Sequence, residues 1–409
     1  MLHFVPNNLG FGHIQHNEFV KNHTTPVART LFTDDKVNVA ILVLDGTYIY
    51  IQKGSDHLFQ KLSYSMHKHR PLVKPMMVVG TDGYIFSVLG PYAADGQNND
   101  ASITKHMLST NSDDIYDWLE EDDVLIVDRG FRDSITFLES HGFHVEMPAY
   151  LEKGKRQHEV EDANVSRLIT KVRWVVESCN GRIKQWRFLD KVVSNHYVPH
   201  IGDFVRIVCA LCNKYRPVLA SQDPEGERVA SLMLERSRQG NPVKELVERE
   251  NLLRKRNVYI PITEADDVSF PVLSLDELRE ITMGVYELKL APAYVANHVD
   301  TDNTYQLFLC KEVDDLIRVK IQSRHVGSLL HTLWVQFTEV KVMGWYCTCK
   351  VGARVVGCCA HIASVIWYLG YGRHQVKMPV SSNTSDTLLN TAVLDSESET
   401  EIDDCVNEE

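Results

Sequence analysis

The sequence predicts an α/β fold in its first half, and two observations indicate it. Segments rich in β-branched residues alternate with segments of helical periodicity, in the order βββαβαβ followed by a long helix. Two acidic residues, Asp45 and Asp128, stand in or at the end of apolar strands, where an unpaired carboxylate is costly to bury. A mixed sheet with flanking helices, carrying a polar site at its strands, accounts for both observations.

Local patterns predict each element of this half. Residues 37–51 are β-branched and aromatic, and residues 74–89 contain the turn signal Thr81-Asp82-Gly83, which predicts a hairpin. Apolar side chains at helical spacing predict a long helix over residues 164–186. The other predicted elements are helices over 101–108, 134–141 and 203–215 and strands over 124–127 and 143–147.

The second half predicts a helical connector and a small α+β module. The connector has a break at Gly240-Asn241-Pro242, and Ser274 with Glu277 matches a capping box before the apolar run 278–290. Strands are expected over 304–310, 317–322 and 333–342, and a helix over 362–369. We divide the chain into an N-terminal segment (1–36), an α/β domain (37–217), the connector (218–290), the module (291–378) and an acidic tail (379–409).

Charge is distributed unevenly along the chain. The 409 residues carry a formal charge of −12, and the nine acidic residues between Ser381 and Glu409, with no Lys or Arg among them, account for −9 of it. The rest is nearly neutral and can present a local basic face to phosphate. The tail has the composition of disorder. Without a secretory leader or an apolar run long enough to span a bilayer, we expect a soluble intracellular protein with no membrane contact and reduced cysteines.

Three acids form a candidate catalytic site. In a ribonuclease-H-like sheet the first and fourth strands are parallel neighbours, so Asp45 and Asp128 would lie side by side, and Glu177 would join them from the long helix. Two carboxylates about 4 Å apart repel by roughly 4 kcal/mol at an effective dielectric near 20. Two Mg²⁺ or Mn²⁺ ions would remove this conflict and support phosphodiester displacement. Structural alternatives are a turn at Asp45, a cap at Asp128 and a helical ion pair of Glu177 with Arg173.

Basic side chains near these acids are candidate contacts to nucleic acid. Arg173, Asn180 and Lys184 share the face of the long helix that carries Glu177 and form a stripe suited to phosphate. A second basic patch surrounds His67 and His69 at a strand edge. The predicted nucleic-acid contacts are Arg173, Lys184, Arg187, Lys68 and Arg70.

Four sequence blocks resemble the Harbinger-like DDE transposases over residues 36–217. They are DGTYIYIQKG, GPYAADGQNNDASI, VDRGFRD and RWVVESCNGRIKQWRFL. The resemblance implies a ribonuclease-H-like fold, Asp45, Asp128 and Glu177 as the metal-binding triad, Asp100 as an accessory acid, DNA as partner and a nuclear location. Only 36 residues precede the α/β domain, so we expect a separate DNA-binding protein to supply site recognition. The oligomeric state stays open, with a dimer as one alternative.

A cysteine cluster near the end of the predicted module has metal-ligand spacing. Cys347 and Cys349 are followed after nine residues by Cys359 and His361, which fits the CxCx(n)CxH pattern of SWIM zinc fingers. Four such ligands suit one structural Zn²⁺ in a tetrahedral site. The alternatives are Cys358 as a competing ligand and a redox cluster without metal. The resemblance implies that the module binds DNA or protein. Cys179, Cys209, Cys212 and Cys310 are expected to be core thiols.

Together these features predict a transposase-like DNA endonuclease or strand transferase. A different class of function is a domesticated transposase remnant that binds DNA or protein without catalysis. A ribonuclease with the same fold is a third hypothesis. The triad favours catalysis, whereas the short N-terminal segment and the acidic tail favour the scaffold.

Overall fold

The computed structural model describes residues 3–34, 36–223, 225–262, 268–298, 306–323 and 328–375. The described residues divide into two compact units, one within 3–148 and 169–231 and the other within 149–168 and 232–375. Within the described ranges, no helix combines the length and apolar character that crossing a membrane requires. The acidic tail and the first two residues of the strand predicted over 304–310 lie outside the described residues.

The first unit contains a seven-stranded mixed sheet. Its strands are β1 (Ile41–Gly46), β2 (Ile49–Tyr50), β3 (Tyr64–Ser65), β4 (Arg70–Gly80), β5 (Ile85–Tyr92), β6 (Val124–Ile126) and β7 (His144–Glu146). β4 pairs antiparallel with β1 and β5, whereas β1, β6 and β7 run parallel in that order. β2 and β3 pair with the beginning of β4. The predicted mixed α/β fold is therefore confirmed, including the hairpin, whose turn is completed by Gly83 at φ +86°.

Helices surround this sheet in the first unit. They are α1 (His16–His23), α2 (Pro26–Phe32), α3 (His57–Ser63), α4 (Asp100–Ser109), α5 (Ile115–Trp118), α6 (Ile135–Glu139), α7 (Val160–Lys184), α8 (Arg187–Asp190), α9 (Ile201–Tyr215) and α10 (Glu225–Ser237). α7 is the long helix predicted from its apolar spacing, and it starts four residues earlier than expected. Its first turns belong to the second unit, and the end of α10 does as well.

The N-terminal segment is part of the core of the first unit. Phe11 and Phe19 pack in the same buried cluster as Phe86. The cluster also contains Leu42 and Leu44 of β1 and Leu125 of β6. The rings of Phe11 and Phe86 meet edge to face, with their centroids 4.6 Å apart. Sequence alone indicated only a short helix in this segment, because its few apolar residues become informative only when the surface that they cover is known.

The second unit contains a five-stranded antiparallel sheet. Its strands are β8 (Tyr259–Ile262), β9 (Leu307–Cys310), β10 (Leu316–Gln322), β11 (Leu330–Phe337) and β12 (Val342–Cys347), in the spatial order β12–β11–β10–β9–β8. Its further helices are α11 (Pro242–Arg249), α12 (Leu275–Thr282), α13 (Tyr286–His298) and α14 (Ala360–Gly370). The capping box predicted from Ser274 and Glu277 is formed at the start of α12. Met283, at φ +52°, splits the apolar run expected to form one helix into α12 and α13.

Both faces of this sheet are covered. One face packs in a cluster with α12, α13 and α14, and the other packs against Val243 and Val247 of α11 and against Leu252. These contacts join segments that the sequence-based boundaries assign to different domains, since residues 242–262 were placed in the connector. The second unit is therefore built from the predicted module, much of the connector and the chain segment around the start of α7.

Candidate active site and candidate metal centre

Asp45 and Asp128 lie at neighbouring positions of the sheet. β1 and β6 pair in parallel with Val43 opposite Ile126, and each acid follows two residues later. Asp45 is the fifth residue of β1, whereas Asp128 precedes a 3₁₀ turn (Arg129–Ser134) and accepts a 2.8 Å hydrogen bond from the backbone N–H of Gly130. β1 and β6, which are the first and fourth strands of the predicted order, thus bring the two acids together, as the sequence indicated.

Glu177 joins them through one buried arginine. Arg173, one helical turn before Glu177 on α7, forms an ion pair with it. The same guanidinium lies 3.5 Å from Asp45 Oδ1 and 3.8 Å from Asp128 Oδ2. One side chain, itself only 5% exposed, therefore contacts all three predicted acids. The alternative in which Glu177 serves only a helical ion pair accounts for one of these contacts and leaves the other two unexplained.

Asp100, at the start of α4, is a fourth acid in the cluster. Lys74 Nζ lies 2.6 Å from its Oδ1 and donates a hydrogen bond to the Asn98 carbonyl. A side chain at Gly130 would place its Cβ 3.0 Å from both Asp100 Oδ2 and Asp128 Oδ1, so these two carboxylates are neighbours across this glycine. The accessory position that the resemblance implied for Asp100 therefore lies beside the triad.

The electrostatics of the cluster are those of crowded, desolvated carboxylates. Burial raises the pKa of Asp45 to about 7; Arg173 opposes this rise, while Asp128 and Asp100 add to it. Burial alone lowers the pKa of Arg173, but the charges of Glu177, Asp45 and Asp128 raise it above its usual value. With every group ionised, four carboxylates face two cations, Arg173 and Lys74, which leaves an excess of two negative charges.

Asn180 completes the helix face that meets the acids. Its Nδ2 donates a 2.8 Å hydrogen bond to Asp45 Oδ2, and its buried Oδ1 has no hydrogen-bond partner among the described residues. The stripe of Arg173 and Asn180 was predicted from helical spacing, but it faces the acids, and the buried Arg173 is not presented to an external phosphate. Lys74 is likewise buried, against Asp100.

The other predicted nucleic-acid contacts lie outside the acid cluster. Lys68 Nζ lies 5.2 Å from the centre of the Tyr48 ring, and the Arg70 guanidinium lies 4.4 Å from that of Tyr50. Lys184 is partly buried at the end of α7, and Arg187 is exposed in α8. Their contact with nucleic acid stays a prediction.

A second cluster lies in the second unit. One ligand atom from each of Cys347, Cys349, Cys359 and His361 lies within 4.8 Å of the others, so these residues are able to hold a metal ion. Cys347 Sγ and His361 Nδ1 are 3.9 Å apart, close to the distance of about 3.6 Å that zinc–sulfur and zinc–nitrogen bonds span across a tetrahedron. Although burial disfavours a thiolate, hydrogen bonds from Cys347, Cys349 and His361 lower the pKa of Cys359 well below its usual value.

Hydrogen bonds to its backbone hold the loop that carries the first two cysteines. Cys347 N–H donates to the Gly352 carbonyl, and Gln157 Nε2 donates 2.7 Å hydrogen bonds to the carbonyls of both Cys347 and Cys349. A Cβ on Gly352 would lie 2.3 Å from the Cys347 oxygen, so only glycine fits this turn. No sequence pattern pointed to Gln157, which is 190 residues from Cys347 along the chain.

The remaining described cysteines are buried outside this ligand set. Cys358 is fully buried in the apolar cluster beside α14 and contributes no ligand atom to the group. Its backbone carbonyl accepts a hydrogen bond from Arg354. The thiols expected in the core are buried as predicted: Cys179, Cys209, Cys212 and Cys310.

Comparisons with known proteins concern mainly the part of the chain that carries the first of these sites. Residues 44–213 match the family model of the DDE superfamily endonucleases, a range that includes all four acids. No curated protein matches the sequence. The cryo-EM structure of the piggyBac transposase synaptic complex with hairpin DNA matches with 12% sequence identity and a TM-score of 0.29, covering 56% of this chain. The chain spans 60% of the length of that transposase chain.

Proposed function

We propose that the first unit is a metal-dependent DNA endonuclease or strand transferase, and that Asp45, Asp128 and Glu177 are its catalytic acids. The observation that carries this proposal is the convergence of the three acids on Arg173, although they come from separate positions along the chain. The match of residues 44–213 to DDE superfamily endonucleases supports the same chemistry.

The donor set fits a hard divalent cation. Carboxylate and amide oxygens are the ligands that Mg²⁺ and Mn²⁺ prefer, and the cluster offers the three acids, Asp100 and the buried Asn180 Oδ1. Its excess of negative charge also favours a cation. When bound, two such ions supply activation of the attacking oxygen and stabilisation of the leaving oxygen in phosphodiester displacement.

The surrounding side chains orient these acids. Asn180 Nδ2 fixes one oxygen of Asp45, the Gly130 N–H fixes one oxygen of Asp128, and Lys74 holds Asp100 beside them. Arg173 offsets part of the repulsion among the acids until cations bind. This preorganisation limits the movement that the carboxylates need in order to act as ligands.

We further propose that Cys347, Cys349, Cys359 and His361 bind one structural Zn²⁺ in a SWIM-type module. Three thiols and an imidazole with mutual distances below 4.8 Å are the soft and borderline ligands of a closed zinc site. In this proposal the module contacts DNA or a protein partner. The Harbinger-like subtype, a nuclear location and a separate DNA-binding protein for site recognition belong to the same proposal.

The second candidate function is a domesticated scaffold without catalysis. One observation favours it: Arg173 already supplies a positive charge at the centre of the triad, where a metal ion would otherwise be needed. If this ion pair is permanent, the acids are a structural element of the sheet. The two candidates therefore differ in whether the cluster binds divalent cations.

A cleavage assay on the full chain separates them. We expect Mg²⁺- or Mn²⁺-dependent cleavage of labelled duplex DNA, with loss of activity to background in Asp45→Asn, Asp128→Asn and Glu177→Gln. Asp133→Asn is the matched control, because this acid lies five residues after Asp128, is 68% exposed and forms an ion pair with Arg132. Titration calorimetry should show weaker Mn²⁺ binding in the triad variants. Wild-type Mn²⁺ affinity and cleavage in all three would contradict the assignment of the triad.

A further inference from the structure

An exposed aromatic cluster follows α7 in the first unit. Phe188 of α8, Tyr197 of the 3₁₀ helix Asn195–His200 and Phe204 of α9 are grouped with ring centroids 5.2 to 6.4 Å apart, and we call this cluster the aromatic patch. Phe188 is 44% exposed and Tyr197 is 42% exposed. Contiguous exposed rings of this kind lose favourable burial unless a ligand covers them, so they mark binding surfaces.

Cations and imidazoles border the aromatic patch. Three basic residues, Lys184, Arg187 and Lys191, lie close to Phe188 along the chain. The acidic residues of the segment that contains the patch are Asp190 and Asp203. The rings of His196 and His200 contact Tyr197 and Phe204, with centroids 5.3 and 6.3 Å apart. An apolar protein partner would not require these cations, whereas a phosphate backbone with unstacked bases is complementary to both features.

The aromatic patch is tied to the strand that follows Asp45. Val193, between Phe188 and Tyr197, donates a 2.8 Å hydrogen bond to the Tyr50 carbonyl of β2. Asp45 lies opposite Met77 of β4, and Tyr50 lies opposite Leu72, five residues away along the same strand. At about 3.3 Å per residue, Asp45 and the Tyr50 position that Val193 contacts are roughly 17 Å apart along the strand, which equals about five steps of duplex DNA at 3.4 Å per step.

The side chains between the two sites are also suited to a DNA strand. Lys68 lies over the ring of Tyr48 and Arg70 over that of Tyr50, so both rings of this segment carry a cation. Lys74 connects the segment to the acids, since its Nζ lies 6.0 Å from the Tyr48 ring centre and 2.6 Å from Asp100. Lys74 itself is buried, so Lys68 and Arg70 are the accessible cations of this segment.

From this arrangement we infer that the aromatic patch binds unpaired DNA bases beside the cleaved phosphodiester. Phe188 and Tyr197 stack on the bases, and Lys68, Arg70 and Arg187 contact the phosphates. The inference rests on the proposed DNA-cleaving function and names a structural feature of its substrate: a single-stranded segment beside the cleavage point.

Binding is measured on the full chain by fluorescence anisotropy, in buffer without added Mg²⁺ or Mn²⁺. The probes are a blunt DNA duplex, the same duplex with a 5′ or 3′ DNA overhang of about five nucleotides, and an RNA overhang of equal length. We expect one DNA overhang to bind about tenfold more tightly than the blunt end, and Phe188→Ala with Tyr197→Ala to remove this advantage. Tyr116→Ala is the matched control, because Tyr116 is 43% exposed elsewhere on the unit.

Conservative variants keep the test independent of folding. Phe188→Tyr with Tyr197→Phe should preserve overhang binding, because both rings remain able to stack, whereas Phe188→Leu with Tyr197→Leu should lose it. Overhang binding that survives the leucine changes would overturn the inference, as would equal affinity for blunt and overhanging DNA or for DNA and RNA overhangs. A leucine variant that alters only the oligomeric state in light scattering would instead show that a second copy of the chain covers the patch.

The same assay separates this inference from the proposed function. Asp45→Asn should lose cleavage and retain the overhang preference, because Asp45 is not part of the aromatic patch. Overhang binding that depends on Phe188 and Tyr197 in a chain that never cleaves DNA would contradict the proposed function alone. Cleavage without any overhang preference would contradict the inference alone.

Discussion

Replacing Cys359 by serine should remove zinc from the second unit, whereas the same change at Cys358 should leave it bound. Cys359 belongs to the group of four ligand atoms lying within 4.8 Å of each other, and Cys358 does not. A serine hydroxyl is not among the usual ligands of zinc, so Cys359→Ser leaves three ligands and an open position. The two variants differ by one position along the chain and make the same chemical change.

The expected magnitude follows from the geometry of the cluster. The separation of 3.9 Å between Cys347 Sγ and His361 Nδ1 means that this pair needs to approach by only about 0.3 Å to bind zinc. Structural zinc in small modules supplies on the order of 10 kcal/mol, which is comparable to the whole stability of a typical domain. Cys358→Ser should cost about 1–3 kcal/mol for a buried hydroxyl, because that thiol is fully buried.

Zinc content per chain and hydrogen exchange measure the outcome. We expect one Zn²⁺ in the wild type and in Cys358→Ser, and close to none in Cys359→Ser. Exchange protection should fall in β10, β11 and α14 of Cys359→Ser, while β1, β4 and β6 stay protected because their buried cluster contains only residues of the first unit. Zinc retained in Cys359→Ser and lost in Cys358→Ser would overturn the ligand assignment.

Two further perturbations test the packing. Gly352→Ala should weaken zinc binding and lower the melting temperature, because its Cβ would lie 2.3 Å from the Cys347 oxygen; Gly181→Ala, with open space around its Cβ, should do neither. Burial lowers the pKa of His16, but the hydrogen bond and charge of Asp123 and the charge of Glu120 raise it above 6.5 overall. The stability from this pair is present below pH 6.5 and is lost as pH rises through the raised value. The melting-temperature difference between wild type and His16→Gln should therefore be larger at acidic than at alkaline pH. The same difference at both pH values would contradict a raised pKa of His16.

The parts of the site that sequence predicted are those with a local signature. Asp45 and Asp128 stand out because an acid at an apolar strand is costly, and the strand order places them side by side. The proposed zinc ligands stand out because Cys347, Cys349, Cys359 and His361 have metal-ligand spacing. In both cases a few neighbouring residues contain the signal, so no knowledge of distant contacts is needed.

Long-range partners had no such signature. Helical spacing placed Arg173 and Asn180 on the same helix face as Glu177. Because spacing does not reveal what a helix face contacts, this face was predicted to bind phosphate. Gln157 supports the carbonyls of Cys347 and Cys349 from a segment that precedes α7 and has no pattern linking it to the cysteines. The same limit explains why the sequence-based boundaries separate segments that share the second unit.

The charge of the acid cluster would couple the proposed metal binding to the binding of DNA. With all four carboxylates ionised, the cluster has an excess of two negative charges over Arg173 and Lys74, so one divalent cation would neutralise it. A second divalent cation would leave two positive charges in a largely buried site, which is unfavourable unless an anion compensates them. A phosphodiester bound at this place would supply that negative charge. If the cluster binds two divalent cations as proposed, the first would bind to the free chain and the second would bind tightly only together with DNA.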